Sequence, residues 1–201
     1  MPVKKSTKDN KNLRSIIEWG ILIAIVLILY FTGWHTHVIG TLQRGILATG
    51  LITPDIPEMT ANSETANLDF FFTNRSGTVQ SLHDFKGDVI FMNIWATWCP
   101  PCIAELPSIY SLYKNFKDDE NISFIMVSMD EDFEKAKEFM ESRGYNLPIY
   151  HYQSKVPGTY QSSVIPTTYI ISPESEIVLQ KEGFAKYDTE EFRVFLKELA
   201  R

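Results

Sequence analysis

Runs of apolar residues along the chain predict the strands and helices of one α/β domain. The near-continuous apolar runs 89–95 and 122–128 are typical of strands buried on both faces of a sheet. Shorter runs bounded by turn-forming residues predict four more strands, over 68–73, 78–82, 167–172 and 177–181. Helices are predicted over 99–116, 131–143 and 189–199. This order predicts an α/β fold in which helices flank a mixed central sheet that starts with an N-terminal β-hairpin.

A separate apolar run near the N-terminus predicts a membrane anchor. Residues 16–34 are apolar except for Glu18, Gly20, Thr32 and Gly33. A helix of this length spans about 28 Å, which is close to the thickness of a bilayer's hydrocarbon core. A cleaved signal peptide and a buried helix of a soluble protein are the alternatives, but the run is longer than the apolar region of a signal peptide.

The charge distribution indicates a chain in several parts. Although the net charge is −6, five basic residues and a single aspartate lie within 1–14. By the positive-inside rule this basic segment lies in the cytoplasm and the rest of the chain, beyond the anchor, lies outside. Residues 36–52 fit either an interfacial helix or a short packing element, and 53–67 has the composition of a linker. We therefore predict a basic cytoplasmic tip (1–14), a transmembrane anchor (15–34), a juxtamembrane segment and linker (35–67) and an outer domain (68–201).

Two cysteines separated by two prolines provide the candidate chemistry. Cys99-Pro100-Pro101-Cys102 follows the central strand and starts a predicted helix. The N–H groups at a helix N-terminus stabilise a thiolate, and prolines are tolerated there because those N–H groups have no helix partner. The spacing predicts thiol–disulfide exchange, in which Cys99 forms a mixed disulfide with a partner protein and Cys102 resolves it.

Other roles for the cysteine pair fit the sequence less well. Two cysteines are too few for a disulfide-rich scaffold or a four-cysteine zinc site. A permanent disulfide across a two-residue loop would add little stability, because the gain grows with loop length. The four histidines show no ligand spacing relative to the cysteines, so we predict no metal site and no cofactor.

Two motifs resemble those of the thioredoxin-like TlpA/ResA family. The stretch 93–107 (NIWATWCPPCIAELP) is similar to that family's active-site segment, and 164–171 (VIPTTYII) is similar to its cis-proline loop and following strand. The resemblance covers roughly 68–201 and implies a thioredoxin-like fold. It also implies a membrane-anchored bacterial thiol–disulfide oxidoreductase, which in many members is a reductant in cytochrome c maturation.

The resemblance implies a location and a set of partners as well. The chain would cross the bacterial inner (cytoplasmic) membrane once, with its thioredoxin-like domain on the extracytoplasmic side. The expected partners are a disulfide-containing protein substrate such as apocytochrome c, a transmembrane thiol reductase that donates electrons, and the lipid bilayer around the N-terminal helix. The acidic balance of the chain gives no indication of a nucleic-acid partner.

The same resemblance implies how substrate would be bound. Pro166 is expected to be cis and to lie against Cys99, with the main chain of Ile165 available to an incoming peptide. Cis peptide bonds occur almost entirely before proline, which agrees with this assignment. The rest of the substrate-binding surface is expected from Trp98, Pro100 and Pro101.

A third catalytic residue is expected at Glu105. It lies three residues after Cys102 and therefore on the same face of the helix. In the family a glutamate at this spacing is thought to assist proton movement, and here it would take the proton of Cys102. Asn93 stands where many thioredoxins carry an aspartate, and an amide cannot accept that proton. The alternative is a solvated carboxylate near a helix N-terminus.

Three other functions compete with a disulfide reductase. The first is a disulfide-forming oxidant of the same fold, since a few tens of millivolts decide the direction. The second is a peroxidase of the peroxiredoxin type. Such an enzyme needs a loop rich in threonine and proline beside its reactive cysteine, and Thr97 is the only nearby match. The third is a Cu(I)-binding carrier that uses the two thiolates.

Overall fold

The computed structural model describes residues 7–31, 45–47, 49, 52–56, 64–153 and 155–201. The chain divides into two compact units, Met1–Val38 and Ile39–Arg201. The sequence predicts either an interfacial helix or a packing element over 36–52, and most of this segment lies outside the described residues, as do parts of the predicted tip and linker.

The first unit contains the helix α1 (Thr7–Phe31). Its apolar side chains between Ile16 and Ile28 that the structure describes are exposed. Across the described parts of the chain, no helix combines enough length with enough apolar character to cross a membrane. The structure therefore does not support the transmembrane helix predicted over 15–34. Residues 32–34 of that segment lie outside the described part.

The second unit is built on a mixed sheet, in which the described residues form eight strands. In chain order these are β1 (Glu64–Thr65), β2 (Phe71–Asn74), β3 (Val79–Ser81), β4 (Val89–Trp95), β5 (Ile122–Ser128), β6 (Ile149–Tyr152), β7 (Thr167–Ile171) and β8 (Glu176–Glu182). Across the sheet their order is β1-β8-β7-β4-β5-β6-β2-β3. The pairs β4–β5 and β5–β6 are parallel and the other neighbours are antiparallel. The predicted mixed sheet and the N-terminal hairpin, formed by β2 and β3, are confirmed.

Two strands are absent from the sequence prediction. Strand β6 pairs with both β5 and β2, but its four residues, Ile149–Tyr152, are too few and too mixed in polarity to give a strong strand pattern. Strand β1 arises within the stretch of linker composition and pairs with β8, and the following Ala66 is buried. Main-chain hydrogen bonds form such an edge pair, so side-chain composition does not reveal it.

Three helices pack against one face of the sheet: α2 (Pro100–Phe116), α3 (Phe133–Ser142) and α4 (Glu190–Leu199). Their buried residues share a core with the odd-numbered side chains of β4, which include Val89, Phe91 and Trp95. The even-numbered side chains of β4 belong to a second core on the opposite face, because successive side chains of a strand alternate. Strand β4 is therefore buried on both sides, as predicted, and leads the chain to the start of α2.

Candidate functional site

A disulfide joins Cys99 and Cys102 at the N-terminus of α2. Cys99 is the N-cap residue of the helix, and its Sγ accepts a hydrogen bond from the backbone N–H of Cys102 at 3.2 Å. Pro100 and Pro101 follow in the first turn, where their missing N–H groups remove no helix hydrogen bond. The motif thus places an oxidised cysteine pair at the positive end of a helix dipole.

The two cysteine residues are both buried, but not equally. Cys102 is fully buried, whereas 4% of Cys99 is exposed, so Cys99 is the cysteine that an incoming thiol or disulfide can reach. Large apolar side chains are exposed next to each of the two residues in this contact region, Cys99 and Ile165. Trp98, directly before Cys99, is 59% exposed, and Val164, directly before Ile165, is 44% exposed.

The loop before β7 lies against Cys99. The Ile165–Pro166 peptide bond is cis, as the family resemblance implies. The carbonyl oxygen of Ile165 lies 3.6 Å from the Sγ of Cys99. An oxidised sulfur carries no hydrogen, so in the disulfide form this is a packing contact, whereas a reduced thiol has a proton to donate to the same oxygen. The residues of the two motifs are therefore adjacent in the fold.

Glu105 is fully buried on α2 and is not the solvated carboxylate of the alternative. Its Oε1 accepts a hydrogen bond from Asn93 Nδ2 at 2.8 Å, and its Oε2 accepts one from the backbone N–H of Ala185 at 3.1 Å. Burial raises the pKa of Glu105 from 4.5 to about 8, although the two hydrogen bonds favour the ionised form and oppose that shift. A carboxyl group with this pKa can both take up and release a proton near neutral pH.

Two residues that the sequence analysis did not identify complete the surroundings of Glu105. Asn93 Nδ2 also donates to Thr168 Oγ1 at 2.9 Å, and the hydroxyl of Tyr187 donates to the same oxygen at 2.7 Å. All three side chains are fully buried. Thr168 lies in β7 and Tyr187 lies shortly before α4, far from Asn93 in the chain, so no local spacing in the sequence points to them.

A second buried carboxylate holds the loop that carries the cysteines. Asp130 is 3% exposed. It accepts hydrogen bonds from the backbone N–H and the hydroxyl of Thr97, the latter at 2.6 Å, and from the hydroxyl of Ser128 at 2.8 Å. Thr97 lies two residues before Cys99, so Asp130 fixes the connection between β4 and α2. Its side chain uses the only proton of the Thr97 hydroxyl, which is then not available to a peroxide.

The histidines that the structure describes lie apart from the cysteines. His83 pairs with Asp69 at 3.1 Å, and a ring nitrogen of His151 lies 3.0 Å from the carbonyl oxygen of Asp130. Among the described residues, no group of three or more His, Cys, Asp or Glu side chains is placed to hold a metal ion.

The family model for the AhpC/TSA family matches residues 56–180. Among curated relatives, the thiol-disulfide oxidoreductase ResA of Bacillus subtilis is 29% identical over 169 residues, which cover 84% of each chain. ResA of Bacillus anthracis is also 29% identical, over 89% of this chain and 96% of the relative. These relatives contain nearly the same length of chain as this protein.

Solved structures show the same fold. The crystal structure of StoA from Bacillus subtilis is similar with a TM-score of 0.51 and 25% identity, and the match covers 66% of this chain and 96% of that one. A thiol:disulfide interchange protein of the thioredoxin family from Chlorobium tepidum matches with a TM-score of 0.56 at 22% identity, over 70% of this chain and 99% of the other. The fold that the sequence predicted for the outer domain is thus a thioredoxin-like one.

Proposed function

The chain belongs to the AhpC/TSA family and is a thiol–disulfide oxidoreductase, and we propose that it reduces disulfides of partner proteins through Cys99 and Cys102. The observation that carries this proposal is the cysteine pair at the start of α2, with the carbonyl oxygen of Ile165 against the Sγ of Cys99. Cys99 is slightly exposed and Cys102 is fully buried. Cys99 therefore reacts with the substrate first, and Cys102 acts second.

In the first step, the Cys99 thiolate attacks one sulfur of a substrate disulfide. The substrate S–S bond breaks, its second sulfur leaves as a thiolate that takes a proton from water, and a mixed disulfide forms. Cys102 then transfers its proton to Glu105 and attacks the Sγ of Cys99. The bond between Cys99 and the substrate breaks, and the substrate sulfur leaves as a thiolate that takes a proton from water. Two electrons pass from the cysteine pair to the substrate, and the product is the disulfide seen in the structure.

The proposed substrate surface surrounds Cys99. Trp98 supplies its exposed apolar area, and the main chain of Ile165 supplies hydrogen-bonding groups to an extended peptide segment. Pro166 and the half-buried prolines between the cysteines complete the surface. An aromatic anchor beside the reactive sulfur would bind unfolded or flexible substrates with little demand on their sequence.

The proposal extends to location and partners. We place the thioredoxin-like domain on the extracytoplasmic side of a bacterial inner membrane, with residues 15–34 as the anchor and 1–14 in the cytoplasm. The apolar run, the basic residues before it and the resemblance to the TlpA/ResA family support this placement. A transmembrane thiol reductase would recharge the cysteine pair, and apocytochrome c is the proposed substrate. Cell fractionation, together with protease treatment of spheroplasts, tests the placement directly.

The reduction potential of the Cys99–Cys102 pair tests the direction of the reaction. A reductant is expected to lie near the value of thioredoxin, about −270 mV, whereas a disulfide-forming oxidant lies near about −120 mV. Equilibration of the full chain with glutathione or dithiothreitol buffers, read by trapping of free thiols, gives this potential. A value close to that of the oxidant would overturn the proposed direction of the reaction. The assignment as a thiol–disulfide oxidoreductase would still stand.

Two further assays separate the remaining alternatives. A peroxidase would consume hydrogen peroxide at the expense of Cys99, while a copper carrier would bind Cu(I) tightly and fail to reduce insulin. For the proposed function, the reduced protein reduces insulin disulfides, and hydrogen peroxide is consumed no faster than by a Cys99→Ser variant.

A further inference from the structure

Four polar side chains from different elements form one buried network around Glu105. They are Glu105 of α2, Asn93 of β4, Thr168 of β7 and Tyr187 of the segment before α4, and all four are fully buried. Their successive hydrogen bonds are 2.8, 2.9 and 2.7 Å long. Burial of this many polar groups is costly unless each is paired, so a network of this kind is retained for a structural or a chemical reason.

The direction of the hydrogen bonds gives the network a chemical meaning. Both hydrogens of the Asn93 amide nitrogen are donated, one to Glu105 and one to Thr168. Thr168 Oγ1 in turn receives the proton of the Tyr187 hydroxyl. Asn93 therefore presents a donor to the carboxyl group of Glu105, and Thr168 and Tyr187 fix the amide group that does so.

The amide oxygen of Asn93 is the one polar atom of the network without a partner in the described part of the chain. Such an orphaned acceptor in a fully buried site calls for an explanation. An amide turned by half a rotation would present this oxygen to Glu105, where it would accept a hydrogen bond from the neutral carboxyl group. Thr168 can serve either orientation, since a hydroxyl both donates and accepts.

We propose that Asn93, held by Thr168 and Tyr187, is a positioning residue that orients the Glu105 carboxyl group and supports both its protonated and its ionised form. This inference rests on the proposed function, because it concerns the proton that Cys102 loses when it resolves the mixed disulfide. An amide suits the task better than an aspartate in this place, since two adjacent buried carboxyl groups would compete for one proton.

Among the residues that the structure describes, few other titratable groups face Glu105. Strand β4 presents the neutral Asn93 and strand β7 the neutral Thr168, and from the segment before α4 come the backbone N–H of Ala185 and the hydroxyl of Tyr187. On its own helix, Cys102 lies one turn away. Burial raises the pKa of Tyr187 well above 10, so Tyr187 stays neutral in the range where Glu105 titrates.

The resolving step itself provides the test. The reduced full-length protein is treated with the disulfide of nitrothiobenzoate, which leaves one nitrothiobenzoate on Cys99. Attack by Cys102 then releases the coloured thiolate, and stopped-flow absorbance gives its rate from pH 5 to pH 9. Loss of the Asn93 donor makes the ionised carboxyl group harder to form, so in Asn93→Leu the midpoint of the rate profile shifts to higher pH by about one unit.

Two further variants keep the test decisive. Thr168→Val retains Asn93 but frees its amide, and a smaller shift in the same direction is expected even if Asn93→Leu does not fold. Ser172→Ala is the matched control, because Ser172 is a buried hydroxyl at the far end of β7, outside the network, and its profile should match the wild type.

The outcomes separate this inference from the proposed function. If Thr168→Val and Asn93→Leu keep the wild-type midpoint while Glu105→Gln loses the pH dependence, the positioning role of Asn93 is wrong and the role of Glu105 stands. If Glu105→Gln also keeps the wild-type profile, the proton transfer to Glu105 is wrong. Release of the second thiolate by Cys102→Ser at the wild-type rate would overturn the proposed function itself.

Discussion

The Sγ of Cys99 lies 3.6 Å from the carbonyl oxygen of Ile165, although the two residues belong to motifs 66 positions apart. This contact brings the reactive end of α2 against the loop that leads into β7. A substrate peptide bound along that loop would present its disulfide to Cys99, which is the less deeply buried residue of the pair. We therefore expect the exposed residues around Cys99 to bind the substrate and the two cysteine sulfurs to carry out the chemistry.

Replacement of Trp98 tests the binding role. Trp98→Ala removes a 59% exposed aromatic side chain next to Cys99 and is expected to lower kcat/KM for insulin by about tenfold, the loss typical of an aromatic anchor. The rate with a small symmetrical disulfide should change by less than about twofold, because such a substrate is too small to use the surface. Val79→Ala, an equally exposed position on β3, is the control. An equal loss with both substrates would place Trp98 in the chemistry instead.

The raised pKa of Glu105 makes the stability of the fold depend on pH. The folded state holds the Glu105 proton up to about pH 8, whereas the unfolded chain releases it near 4.5. The stabilising contribution is therefore complete below pH 4.5 and is lost as the pH rises towards 8, by roughly 5 kcal/mol at most. Urea denaturation of the wild type and of Glu105→Gln across this range gives the comparison.

In Glu105→Gln this decline should be absent, so the two stability curves converge or cross as the pH rises. Gln is the matched replacement, since its amide keeps the shape of the carboxyl group and cannot ionise. Parallel curves from pH 4.5 to pH 8 would show that the Glu105 carboxyl group titrates normally and would remove the basis for its part in proton transfer.

The buried carboxylate of Asp130 is expected to stabilise the loop before Cys99. Asp130→Ala leaves the N–H and hydroxyl of Thr97 without their acceptor and should cost about 3 kcal/mol of unfolding free energy. Asp132→Ala, two residues away, is the comparison, because it removes only the N-cap hydrogen bond from the backbone N–H of Glu134. It should lower the free energy of unfolding by about 1 kcal/mol. Equal losses in chemical denaturation would mean that Asp130 does not hold the loop.

The sequence alone predicts much of this architecture because strong apolar runs determine it. The bounds of β4 and β5 agree with the predicted runs 89–95 and 122–128, and Thr189 caps α4 as its side chain allows. The reactive pair could also be predicted, since Cys99 and Cys102 are neighbours on a helix and need no long-range contact to be recognised.

The network around Glu105 could not be predicted, because it depends on contacts between residues far apart in the chain. Asn93, Thr168 and Tyr187 meet only because β4 and β7 are adjacent in the sheet and the segment before α4 packs beside them. The chain separation of these residues leaves no periodic signal. Strand β6 was missed on similar grounds, because its pairing with β5 and β2, and not its own composition, makes it a strand.

The proposed mechanism requires that Cys99 form a mixed disulfide with a protein substrate and that Cys102 resolve it. Cys102→Ser should trap this intermediate, and mass spectrometry of the full-length variant, incubated with insulin after reduction and desalting, should show an insulin chain joined to Cys99. Cys99→Ser should form far less adduct, because the remaining Cys102 is buried. A Cys102→Ser protein that remains free of adduct, or an equal yield of adduct from both variants, would contradict the account.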